Sequence, residues 1–143
     1  MGADQEPAGR STSTTADLVG VDRRLREILA PLRSRLVATK DGAGGLTLEI
    51  PGLEGQPWGY VAGTRVGKRY VSFYLMSLYA SPALKASISP ELQRRMQGKS
   101  CFNFTKVDEG LFAELEQLAK ETIEPHIALA KQVAAGKPRA RSR

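Results

Sequence analysis

From Leu18 onward the apolar residues Leu18, Val21, Leu25, Ile28 and Leu29 recur at three- and four-residue steps. That spacing puts them on one side of an α-helix. Asp17 or Asp22 is expected to cap its start, because a carboxylate accepts from the free N–H groups of a first turn. Pro31 is expected to end or kink it, since proline lacks a donor and disfavours helical geometry in the residue before it. Beyond Pro31 the period drops to two. Arg35–Lys40 and Leu46–Ile50 flank Asp-Gly-Ala-Gly-Gly, which reads as a hairpin. Leu46, Leu48 and Ile50 alternate with Thr47 and Glu49, the pattern of a half-buried strand.

Trp58–Thr64 and Arg69–Met76 read as the third and fourth strands, joined by a turn near Val66–Lys68. In the fourth, Val71, Phe73 and Leu75 point one way and Tyr70, Tyr74 and Met76 the other, with Ser72 among them; two apolar faces predict a central position. Ser89-Pro90-Glu91 then reads as N-cap, N1 proline and a carboxylate at the positive helix end. This helix is expected to run through Met96 and stop at Gly98, with Cys101–Phe104 as a short strand. Asp108 caps a last helix, in which Leu111, Leu115 and Leu118, with Phe112, Ala119 and Ile123, form an apolar stripe. Pro125 is expected to kink it. The order α-β-β-β-β-α-β-α predicts an α+β fold, a small antiparallel meander of about five strands with helices packed on it. Residues 1–16 and 136–143 are polar, so the expected domain is 17–135 between two disordered tails.

Composition narrows the class. With 143 residues, 41% hydrophobic, the chain can build one core. A single cysteine excludes an internal disulfide framework, and a single histidine leaves no His/Cys cluster for a structural zinc. No apolar run approaches the roughly 20 residues of a membrane span, and Met1–Thr15 lacks the hydrophobic region of a secretory signal. A reducing, cytoplasmic setting is therefore expected.

The net charge of +6 is unevenly placed. From Arg65 to Lys106 there are eight basic residues against one acid, Glu91; from Val107 to Lys131, six acids face two lysines. Such asymmetry either steers an anionic partner or solvates two faces.

Two stretches carry a resemblance. Lys68-Arg69-Tyr70-Val71-Ser72-Phe73-Tyr74-Leu75-Met76-Ser77-Leu78-Tyr79 is one. Ile88-Ser89-Pro90-Glu91-Leu92-Gln93-Arg94-Arg95-Met96-Gln97-Gly98-Lys99-Ser100-Cys101-Phe102-Asn103-Phe104 is the other, followed by Leu111–Leu115. With these the chain resembles the YdhG-like bacterial domain of unknown function, over roughly residues 20–130. The resemblance implies a small antiparallel sheet with helices, and a frataxin-like iron carrier as one functional alternative, since some members are labelled iron chaperones. Tyr74 and Ser77 depart from the family wording, which has His and Pro there.

The strongest candidate site is aromatic. If the faces of the third and fourth strands coincide, Trp58, Tyr60, Tyr70 and Tyr74 make a floor edged by Arg65, Lys68 and Arg69. Amphipathic rings on a sheet can hold a planar ligand or stack bases. If the longest helix covers that face, the same rings are core. Lys99, just before the short strand, and Asn103, within it, complete the expected ligand-binding set of Trp58, Tyr60, Tyr74, Lys99 and Asn103. The leading reading is a non-catalytic binding domain holding a small ligand or a protein partner.

Other chemistry is thinner. Cys101, beside Lys99, has the ammonium that favours a thiolate, but no base adjoins it, and His126 lies on the last helix. No catalytic constellation emerges. Gly98-Lys99-Ser100 lacks the glycine a phosphate loop needs five residues earlier, where Gln93 stands. Glu114, Glu121 and Glu124 share one helix without histidine support, so no metal or cofactor is assigned. Lys137, Arg139, Arg141 and Arg143 can touch nucleic acid weakly through counterion release, which makes a nucleic-acid accessory protein the other alternative.

Overall fold

The computed structural model describes the backbone of residues 9–98 and 100–142, and side chains within 17–98 and 100–135. Helix α1 spans Gly9–Leu29. It begins inside the stretch expected to be a disordered tail, so Asp17 and Asp22 lie within it and not at its start. Asp22 instead holds Arg26 one turn on, at 2.7 Å, and Arg26 reaches Asp41 at 2.9 Å. Pro31 is the second residue of a 3-10 turn, Ala30–Ser34, that follows the helix.

An antiparallel meander follows, with strands β1 (Val37–Gly42), β2 (Gly45–Glu49), β3 (Tyr60–Val66) and β4 (Val71–Leu75). A 3-10 turn (Met76–Ala80) and two short helices, α2 (Pro82–Ala86) and α3 (Pro90–Gln93), lead to β5 (Met96–Gln97) and β6 (Cys101–Phe104). Helix α4 closes the chain from Glu109 to Ser142. The sheet order is β1-β2-β3-β4-β6-β5. This is the expected α+β architecture, with six strands where about five were expected.

The additional strand corrects the expected helix end. Ser89 caps α3 by accepting from the Leu92 N–H at 3.1 Å, with Pro90 next, as the sequence predicts. The helix then stops at Gln93, short of Met96, and Arg95 gives its carbonyl to the Asn103 N–H across the hairpin at 2.8 Å. Gly98, at φ +79°, turns the chain; a side chain would be strained there. Met96 thereby pairs with Phe102.

Alternation sorts each strand into two faces. Leu46, Leu48, Ala62, Phe73, Leu75, Phe102 and Phe104 are buried with the stripes of α1 and α4 in one apolar core. Phe104 meets Phe112 of α4 edge to face, centroids 4.9 Å apart. Within this layer the Ser77 and Thr122 hydroxyls bond at 2.6 Å, and Thr122 donates to the Leu118 carbonyl at 2.7 Å. Asp108 caps α4 by accepting from the Leu111 N–H at 3.1 Å. The helix passes through Pro125 without ending and continues along the stretch expected to be a basic tail, whose side chains lie outside the described residues. Among the described residues no helix is long and apolar enough to cross a membrane.

Candidate ligand site on the open face of the sheet

The other face of the sheet is polar. Its central rows follow from the register: Thr47 and Gly63 with Tyr74 and Cys101, then Arg65 with Ser72 and Asn103, and Gln97 beside Cys101. A register shift between Leu48 and Glu49 sets Tyr60 opposite Glu49. The ring of Tyr60 tilts 47° to that of Tyr74, with centroids 6.4 Å apart. Gly63 makes room for it, since a Cβ there would stand 3.0 Å from the Tyr60 hydroxyl and 2.2 Å from the Leu46 carbonyl oxygen. Burial first, then the neighbouring Tyr74, Cys101 and Glu49, push the Tyr60 phenol well above its ordinary range. It is therefore a neutral hydroxyl at any physiological pH.

Beside the tyrosines runs a directed chain of hydrogen bonds. Ser72 donates to Asn103 Oδ1 at 2.7 Å, and the Cys101 thiol points at the same oxygen at 3.5 Å. Asn103 Nδ2 then donates to Gln97 Oε1 at 2.7 Å. Arg65, Gly67, Tyr70, Ser72, Tyr74, Gln97 and Cys101 enclose a concavity of about 330 Å³. At the far end of the face Glu49 is buried, accepting from the Thr39 hydroxyl and, at 2.8 Å, from the Gly55 N–H.

The expected site residues divide. Tyr60, Tyr74 and Asn103 come together on this face. Trp58 does not join them: it lies in a 3-10 turn, Pro57–Gly59, before β3 begins, and so escapes the strand's alternation. Its carbonyl meets His126 Nε2 at 3.0 Å, and its ring lines an apolar groove of about 400 Å³ with Met76, Tyr79, Leu129 and Val133. Lys99 lies outside the described residues. Tyr70 precedes β4 but reaches the concavity wall, with Arg65 at the same rim. Lys68 and Arg69 are exposed in the adjoining turn. Ser72 and Gln97 were not among the expected ligand contacts. A serine inside an otherwise apolar central strand was the available signal for Ser72; Gln97 was hidden by its assignment to a helix.

Cys101 is half-buried, and the chain's single histidine is in the groove with Trp58, so the thiol has no imidazole beside it. The acids considered for iron have other work. Glu114 accepts from the Ser89 N–H and hydroxyl at 2.8 and 2.7 Å, Glu121 from Gln117 at 2.6 Å, and Glu124 binds Arg35. Among the described residues no group of three or more His, Cys, Asp or Glu side chains stands together to hold a metal.

No family model, curated protein or solved structure matches the chain. Function therefore has to be read from this chain's own geometry.

Proposed function

We propose that the domain is a non-catalytic, cytoplasmic binding module that holds a small ligand on the open face of the sheet. One observation carries this reading. The face left uncovered by the core-forming helices concentrates two tyrosines, a thiol and a Ser–Asn–Gln relay around a concavity of about 330 Å³. That volume lies at the lower end of ordinary small-molecule sites. The relay holds the amide side chains in one orientation, so a ligand would meet groups already in place.

A thermal-shift screen of metabolites on the full chain tests the proposal. At least one compound should raise the melting temperature of the wild-type protein and leave Tyr74→Ala unmoved, once the variant's own unliganded transition has been recorded. A panel with no stabilising compound, or equal stabilisation of Tyr74→Ala, would overturn it.

A second reading is a nucleic-acid accessory protein laying a single strand across the same face. It is favoured by the exposed cations Arg65, Lys68 and Arg69 beside the tyrosines. It predicts oligonucleotide binding that falls steeply with salt and weakens when residues 136–143 are deleted. Salt-insensitive binding would rule it out.

A further inference from the structure

The relay on the open face has a direction, and the direction selects a ligand. Asn103 Oδ1 is taken by Ser72 and Cys101, and Gln97 Oε1 is taken by Asn103. Each carbonyl oxygen of the relay thus already accepts at least one hydrogen bond, and the free end of the relay is the Gln97 –NH2, which can only donate. Arg65, on the same concavity, can also only donate, and among the described residues it has no carboxylate partner. Arg24, Arg26, Arg33 and Arg35 each bind an acid. Arg65 shares its lack of one with other arginines, Arg69, Arg94 and Arg95 among them, and of these Arg65 alone lines the concavity. The one buried carboxylate at the far end of this face, Glu49, already accepts from Thr39 and Gly55. The concavity thus offers a planar guanidinium, an amide donor and the rings of Tyr70 and Tyr74; its hydroxyls can donate as well as accept, and no carboxylate lines it.

We infer that the ligand is a small planar aromatic oxyanion, a ring bearing a carboxylate or a phosphate, with the anion held by Arg65 and Gln97 and the ring against Tyr74. This rests on the open face being the ligand site, as proposed above. The fork of a guanidinium matches either oxyanion through two parallel hydrogen bonds. A volume of about 330 Å³ suits one ring system with its substituent. A carboxylate and a phosphate ester share this chemistry, and the probes separate them.

The test is a titration of the 15N-labelled full chain with salicylate, phenyl phosphate, adenosine 5′-monophosphate, and the neutral controls salicylamide and adenosine, followed by amide and side-chain NMR shifts. At least one anionic probe should move Tyr74, the Gln97 side-chain amide and the Arg65 Nε–H together, and bind at least about tenfold more tightly than its neutral control, the usual worth of a charge-assisted pair. Which probe binds tells carboxylate from phosphate. Arg65→Gln should erase that preference, Arg65→Lys should restore part of it, and Lys131→Gln, at an exposed cation on α4, should leave it in place. Folding of each variant is read from the dispersion of the same spectra.

If a neutral compound shifts the open face as strongly as its anion, or Arg65→Gln changes nothing, the oxyanion inference fails while the open-face site stands. If the probes shift only the groove around His126 and Leu129, or neither they nor any compound of the thermal screen touches the open face, the inference and the site fall together. If a short single-stranded oligonucleotide binds there and no small probe does, the surface belongs to nucleic acid and the inference is overturned.

Discussion

The two faces of one sheet are built from the same strands and obey different rules. On the covered face of β4, Val71, Phe73 and Leu75 are fully buried against α1 and α4. On the open face, Ser72 and Tyr74 alternate with them and meet Asn103 and Cys101. The first set is stabilised by removal of apolar surface from water, which is non-directional and tolerant of similar shapes. The second is held by hydrogen bonds whose donors and acceptors have to match, so a single change of atom type breaks the relay. A sheet can therefore keep its stability on one side and its recognition chemistry on the other.

The contrast should break first at the covered face. Phe102→Ala removes a fully buried ring, and urea denaturation should show a loss of about 3–5 kcal/mol. A loss under 1 kcal/mol would mean that this face is not the main source of stability. Next comes the point where the faces meet. Gly63→Ala puts a Cβ against the Leu46 carbonyl oxygen and the Tyr60 hydroxyl, and should cost about 1–3 kcal/mol by forcing the backbone apart; the same titration measures it.

On the open face, Asn103→Ala strips Ser72 of its acceptor and Gln97 of its donor. It should destabilise by about 1–2 kcal/mol, and the Gln97 side-chain amide should gain mobility in 15N relaxation. An unchanged Gln97 would show that the relay does not fix its neighbour. Tyr74→Phe, which keeps the ring, should change stability by no more than about 0.5 kcal/mol, so any loss of ligand response in that variant reports the hydroxyl alone.

The groove beside Trp58 adds a response to acid. His126, buried on α4 against Trp58, has its pKa lowered by desolvation, against a smaller opposing effect of the hydrogen bond to the Trp58 carbonyl. A base with a depressed folded-state pKa binds fewer protons in the fold than in the unfolded chain. Its contribution is complete above the ordinary value of 6.5 and is lost as pH falls below it. Denaturation midpoints taken from pH 7.5 to pH 5.5, a span of about two units around that value, should fall for the wild type and much less for His126→Gln. A flat wild-type profile would place the imidazole in water.

Much of the fold was legible because burial leaves a period in the sequence. The steps of Leu18 to Leu29 and of Leu111 to Ile123 gave α1 and α4, and the alternation of Leu46 to Ile50 gave a strand with one wet face. The Ser89-Pro90 cap was readable for a local reason, a side chain bonding a backbone group three residues away. Boundaries were less so. Met96–Gln97 reads as a helix end because the preceding residues favour helix, and only pairing with Phe102 and Cys101 makes it a strand.

By itself, then, the sequence determined the α+β class, the single core and the presence of an aromatic, basic middle, because each depends on local propensity or on burial averaged over a segment. Tertiary structure decided which aromatic residues share a surface. Tyr60 and Tyr74 meet because a register shift and a glycine bring them to one face, whereas Trp58, two residues before Tyr60, turns toward His126 because its turn is not yet strand. It also decided that Asn103 links Ser72 to Gln97, a contact between three strands that no one-dimensional pattern contains. Pairing across strands fixes which atoms meet, and the open face takes its polarity from that pairing.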